Sequence, residues 1–157
     1  MGFWDNKKVT VTGGKGFLGS YILEKLQQRG CKNIAVADLP EYNLTKLPDI
    51  KRMYQEQRPD IVIHLAAITD ATNSFNKQNM IKKINFVGTK KIIEHCNKYN
   101  CSLIFPSTTS VYGTQNNLVD EDCSIEELKP QSPYAEYKLK SEIYLKQFSN
   151  KNNFKYV

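Results

Sequence analysis

KKVTVTGGKGFLGS, residues 7–20, starts as a short β-branched run and ends in glycines. Such a run reads as a buried strand entering a turn. The stretch GFLGSYILEKLQQRG follows from Gly16, with Leu18, Ile22, Leu23 and Leu26 on one helical face and Gly30 as its stop. Between strand and helix, Gly13, Gly16 and Gly19 fall in a G-x-x-G-x-x-G spacing. A glycine triplet alone is weak, and a plain strand-to-helix turn would contain one. Leaving a strand and opening a helix, it marks the place where backbone N–H groups and the positive helix end hold a pyrophosphate. Gly13 then allows the tight turn, Gly16 the approach of the cofactor, and Gly19 close packing of helix on strand.

The alternation continues outward from this stretch. NIAVADL reads as a second strand, LTKLPDIKRMYQEQRPD as a helix bearing Leu47, Ile50, Met53 and Tyr54, and DIVIHLAA as a third strand. Pro48 suits a first helical turn and Pro59 a stop. Ile81, Ile84, Gly88, Ile92, Cys96 and Tyr99 form one stripe, which predicts a long helix over about 79–99. CSLIFPSTTSVYG is a fourth strand running into a polar turn, and 114–131 reads as an acidic loop. Ser132 as N-cap and Pro133 in the first turn open a helix to about Phe148, and NFKYV begins another strand. Strands that are continuous apolar runs, alternating with helices, predict an α/β fold: a Rossmann-type doubly wound parallel sheet with helices on both faces. The whole of 1–157 reads as one dinucleotide-binding domain.

Composition narrows the classes. The chain has 157 residues, a hydrophobic fraction of 40% and a net charge of +6, enough for a real core and unlike a disordered segment. The lysines are scattered as solvated helix faces, without the aromatic interleaving of a nucleic-acid groove; a basic balance suits a phosphate-bearing ligand. No apolar stretch reaches membrane-spanning length, and MGFWDNKKV has no secretory h-region. Cys31, Cys96, Cys101 and Cys123 show no CxxC spacing, and His64 and His95 are the two histidines, so no metal site is expected. Reduced thiols and a cytoplasmic location are the expectation.

Two further features bear chemistry. Asp38 ends the second strand, where an acid accepts from the adenosine ribose hydroxyls and repels a 2′-phosphate; this favours NAD over NADP. Lys15, inside the glycine loop, would meet a phosphate, and an Asp at such a place also caps turns. SPYAEYKLKSE, residues 132–142, places Tyr134 and Lys138 four apart, on one helical face. A free Tyr has a pKa of about 10; an ammonium nearby and a nicotinamide ring both favour phenolate. Tyr134 could then take a proton from a substrate hydroxyl as hydride leaves its carbon. Tyr112 and Tyr137 read as packing residues, and His64 as a strand residue near the sheet end.

In order and spacing, TGGKGFLGS, Asp38, HLAA (64–67), NFVGT (85–89), PSTTSVYG (106–113) and YAEYK (134–138) resemble the extended short-chain dehydrogenase/reductase family, the NAD-dependent nucleotide-sugar epimerases and dehydratases. The resemblance runs the whole chain and implies roles. Gly13, Gly16, Phe17, Leu18 and Gly19 would hold the pyrophosphate. Leu65, Ala66 and Ala67 would line the cofactor, and Asn85 would support the site from the central helix. Thr108, Tyr134 and Lys138 would be the catalytic triad, with Ser107, Thr109 and Ser110 competing for the hydroxyl role. The family's dehydratases carry Asp-Glu after that Thr; Thr109 and Ser110 stand here, which argues for epimerisation or simple oxidoreduction of a nucleotide-diphosphate sugar. The second strand runs almost directly into EYNLT, as in the branches that reduce 4-keto sugars, often with NADP, so it should be a sheet edge. Family chains are roughly twice as long, and a C-terminal substrate domain is expected beyond FKYV; the isolated chain should bind NAD weakly and turn over little. The resemblance also implies a homodimer through helices at about 79–99 and 134–148. A non-catalytic dinucleotide sensor is the rival reading, and the intact YAEYK argues against it.

Overall fold

The strands β1 (Lys8–Thr12), β2 (Asn33–Ala37), β3 (Ile61–His64) and β4 (Ser102–Ile104) form one sheet in the order β2-β1-β3-β4. Every pairing is parallel. This comes from a computed structural model, which describes residues 2–70, 73–114 and 119–157. Of the loop expected over 114–131, residues 115–118 lie outside the described residues. β2 stands at the edge, as the short link after Asp38 implied. The last residues start a fifth parallel strand beside β4: Leu103 bridges Tyr156, and Val157 N–H donates to the Leu103 carbonyl at 2.9 Å.

Register is what places the site. Thr12 pairs with Ala37 on one side and with His64 on the other, so β1, β2 and β3 end at one level. The glycine loop, Asp38 and Leu65 therefore leave the sheet along the same edge. Crevices at the carboxyl ends of parallel strands are where this architecture binds ligands.

The faces are covered unequally. Val9, Val11, Ile61 and Ile63 point toward α1 (Phe17–Gln28), packing with Leu26, Cys31 and the partly buried Trp4, Ile22 and Leu23. Val62, Leu103 and Phe105 point the other way, into a larger cluster with Ile50, Met53 and Tyr54 of α2 (Leu47–Gln57), Ile92, Ile93 and Cys96, and Leu145. Of the stripe expected on α1, Leu18 departs: it is half exposed, at the mouth of the cleft described below.

The helix expected over 79–99 is present but not regular. A turn at Ser74–Lys77 leads into α3 (Gln78–Ile81), a π-helical stretch Lys82–Gly88, and α4 (Thr89–Lys98). Hydrophobic spacing alone does not separate a widened turn from an α-helical one, and such turns often sit at functional sites. α5 (Pro133–Asn152) opens as its sequence implied, with Ser132 Oγ accepting the Ala135 N–H at 3.2 Å. It continues past Phe148 and stops where Asn153 takes the left-handed conformation at φ 50°.

Candidate active site

β1 delivers the glycine loop to the sheet edge, and close approach explains two of its glycines. Gly13 has φ +74°, and a Cβ there would lie 2.7 Å from the Ala66 nitrogen. A Cβ on Gly19 would lie 2.1 Å from the Gly13 carbonyl, so α1 can start against the loop only without one. Gly16 is the N-cap of α1 and brings no side chain to the first turn. The helix thus offers its first N–H groups and positive end outward.

These groups border a cleft of about 350 Å³. Gly13, Gly16, Phe17, Leu18 and Gly19 line one side, Leu65, Ala66, Ala67 and Thr69 the floor, and Pro106, Ser107, Tyr134 and Lys138 the other side. The motifs set far apart in the chain therefore converge. Thr69 and Pro106 have no role assigned by motif; their signal is adjacency to HLAA and to Ser107 of PSTTSVYG, one of the hydroxyls competing for the triad, which does line the cleft.

Lys138 is buried, 6% exposed, and its Nζ donates to the Pro106 carbonyl at 2.7 Å, with the ammonium 4.4 Å from the centre of the Phe105 ring. Burial pushes its pKa down to about 8, and the Glu142 carboxylate opposes part of that shift. Tyr134, half-buried one turn earlier on α5, lines the same cleft. The Phe105 ring also stacks with His64, centroids 6.2 Å apart. His64 is 2% exposed, and burial, aided by the Lys138 charge, holds its pKa down at about 3. It is the buried strand residue that its place in β3 implied.

Three of the expected site residues stand outside the cleft lining. Asp38 accepts from the Lys15 N–H at 2.8 Å and also from the Gly13 N–H, so its carboxylate braces the glycine loop. Lys15 extends outward to Glu41, Nζ to Oε2 3.3 Å. Asn85 is buried in the π-helical stretch; its Oδ1 accepts from the Ile68 N–H and its Nδ2 donates to the Ile68 carbonyl, both at 2.8 Å. It grips the backbone beneath the cleft. Thr108 Oγ1 accepts the Ser110 N–H at 3.2 Å, and Thr108 faces an adjoining hollow with Thr109, Tyr112, Glu121 and Glu142. Ser107 borders both spaces and donates to Glu142.

A sequence model of the NAD dependent epimerase/dehydratase family matches residues 9–157. The chain belongs to that family. Its members divide by reaction, and this family chain resembles several divisions about equally. It is 28% identical to the dTDP-D-glucose 4,6-dehydratase of Dictyostelium discoideum, over 87% of this chain and 39% of that protein. The UDP-glucose 4-epimerase of Thermus thermophilus, solved with NAD, superposes with a TM-score of 0.85 at 30% identity, covering 95% of this chain and 53% of that one. The dTDP-4-dehydrorhamnose reductase of Bacillus anthracis, solved with NADP, gives 0.83 at 26%, covering 96% and 51%. The chain spans about half the length of the relatives it matches, or less. Among the described residues, no helix is long and apolar enough to cross a membrane, and no cluster of His, Cys, Asp and Glu is arranged to hold a metal.

Proposed function

We propose that this chain is the dinucleotide-binding and proton-transfer half of an NAD-dependent nucleotide-sugar epimerase. The observation that carries the reading is the convergence of the glycine loop, the β3 exit and the Tyr134/Lys138 pair on one cleft. The cleft suits a dinucleotide: Gly13 and Gly19 let the loop close against Leu65–Ala66 and the start of α1, whose first-turn N–H groups and positive end border the cleft and can meet a pyrophosphate. Gly13, Gly16, Phe17, Leu18 and Gly19 would hold the phosphates, and Leu65, Ala66 and Ala67 would pack against the cofactor. When bound, NAD supplies a reversible hydride acceptor. Asp38 favours NAD, because its carboxylate at the end of β2 repels a 2′-phosphate.

Tyr134 is the acid/base: its oxygen takes the proton of the sugar hydroxyl being oxidised and returns it when the carbonyl is reduced. Lys138 is the adjacent cation, fixed by the Pro106 carbonyl rather than left to wander. Thr108 is assigned the hydroxyl that orients the reacting oxygen, with Ser107 the alternative because it borders the cleft itself. Hydroxyl residues at 109 and 110 support epimerisation or oxidoreduction over water loss. Reduction of a 4-keto nucleotide sugar with NADP is the second reading; the short β2–α2 link and Lys15 in the loop favour it.

Calorimetric titration with NAD and with NADP tests the cofactor assignment. Tighter NAD binding supports the reading, tighter NADP binding moves it to the reductase, and binding of neither overturns the cofactor role of this chain alone. For turnover on a UDP-sugar, tested with the complete substrate-binding part present, Tyr134→Phe is expected to lower kcat by at least about 10²-fold while NAD affinity is retained. A sensor would show no dependence on that oxygen.

A further inference from the structure

Beneath the cleft lies a buried polar chain that the proton-transfer reading does not use. The Ala66 N–H donates to Thr12 Oγ1 at 3.2 Å, and Thr12 Oγ1 lies 2.7 Å from His64 Nδ1. His64 Nε2 lies 3.0 Å from Thr89 Oγ1, whose hydroxyl donates to the Asn85 carbonyl at 2.8 Å. Ser141 of α5, three residues beyond Lys138, shares its one proton between that carbonyl at 3.1 Å and the Tyr137 carbonyl at 2.8 Å. Thr12, His64, Asn85, Thr89 and Ser141 are all buried.

The directions follow from counting protons. The Thr89 hydroxyl has one proton, spent on the Asn85 carbonyl, so toward His64 it accepts. His64 must then be protonated at Nε2 and carry its lone pair at Nδ1. That lone pair accepts the Thr12 hydroxyl proton, and the Thr12 oxygen is left to accept from Ala66. The chain runs one way, from β1 through β3 to the long helix. The Asn85 amide closes it by gripping Ile68.

We infer that His64 is a positioning residue whose neutral, Nε2-protonated ring, held between Thr12 and Thr89, locks the cleft floor at 65–69, the π-helical stretch and α5 into one unit. The proposal deepens the dinucleotide-binding reading and rests on it for its benefit to the cofactor. A merely structural histidine would fill space, and its neighbours would not feel changes across the ring. A relay makes Ala66 sensitive to Thr89, on the far side of His64.

The test is amide hydrogen exchange and ring-nitrogen NMR on the full chain. In Thr89→Val the Ala66 and Ile68 amides should exchange about fivefold faster or more, the order expected for one hydrogen bond lost. Thr89→Ser should restore the native rates, and Ile92→Val, a packing change on the same helix, should leave them in place. NAD affinity should fall in Thr89→Val and return in Thr89→Ser. Unchanged Ala66 exchange in Thr89→Val, or equal acceleration in Ile92→Val, overturns the proposal. Should Thr89→Val fail to fold, the wild-type ring decides: nitrogen shifts of an Nδ1–H tautomer, or of an imidazolium at pH 7, overturn it. Absence of NAD binding by the wild type fells the cofactor reading and leaves the exchange and tautomer results to judge the relay.

Discussion

A lysine kept from water carries a stability signature. Lys138 has a pKa near 8 in the fold against 10.5 for its ordinary value. Below pH 8 the folded protein bears the full penalty of a buried ammonium, about 3 kcal/mol for a shift of that size. Between pH 8 and 10.5 the unfolded chain holds more protons than the folded one, so stability rises with pH. Lys138→Met lacks this term. Urea unfolding of both proteins across that window should show the wild type gaining about 3 kcal/mol on the variant; parallel curves would exclude it. His64 works in the acid range. Its folded pKa of about 3 lies below the ordinary 6.5, so its contribution is complete above pH 6.5 and is lost as pH falls toward 3. Its ring resonances should stay flat from pH 8 down to the onset of acid unfolding. At this scale the motifs located Tyr134, Lys138 and the glycines, because each carries its chemistry in its residue type. They did not reveal that Asp38 braces the loop or that His64 joins a relay, since both depend on partners 23 or more positions away.

Elements are where the sequence spoke most clearly and also where it was silent. α1, α2 and α5 follow from apolar stripes, prolines and an N-cap serine, signals that act within a few residues. The π-helical stretch Lys82–Gly88 follows from nothing local: its stripe is the same as an α-helix's, and the features that hold it are the grip of Asn85 on Ile68 and the nearness of Gly88 to the Leu44 carbonyl. The start of α1 is the most exacting junction. Gly19→Ala would put a methyl 2.1 Å from the Gly13 carbonyl, with backbone rather than a pliant side chain in the way. We expect a loss of at least 1–3 kcal/mol, read as a lowered thermal midpoint, together with loss of NAD binding. Unaltered melting would mean that the loop can retreat.

Taken whole, the molecule presents its helices unevenly: α2, α4 and α5 build the larger core, and α1 with Trp4 covers the opposite face. Across the outer side of α4 and α5, Lys90 lies 4.5 Å from the centre of the Tyr144 ring, Tyr144 donates to Glu94 at 2.8 Å, and Tyr144 stacks on Phe148. The homodimer that the resemblance implies would form on this surface, and sedimentation should then report a dimer that Tyr144→Ala weakens. A monomer at all concentrations would remove it. Sheet order was legible because the second strand runs almost directly into EYNLT and then α2, leaving no strand to lie outside it.

Parallel pairing also sets a timetable for synthesis. Among the four described strands β1 leaves the ribosome before the others, yet it lies between β2 and β3 and takes its central partner only when Ile61–His64 has emerged. Until then one edge of an apolar strand waits unpaired, and the glycine loop has no Leu65–Ala67 to close against. A pause in translation before residue 64 would therefore prolong the interval in which the nascent chain is most open to wrong strand partners.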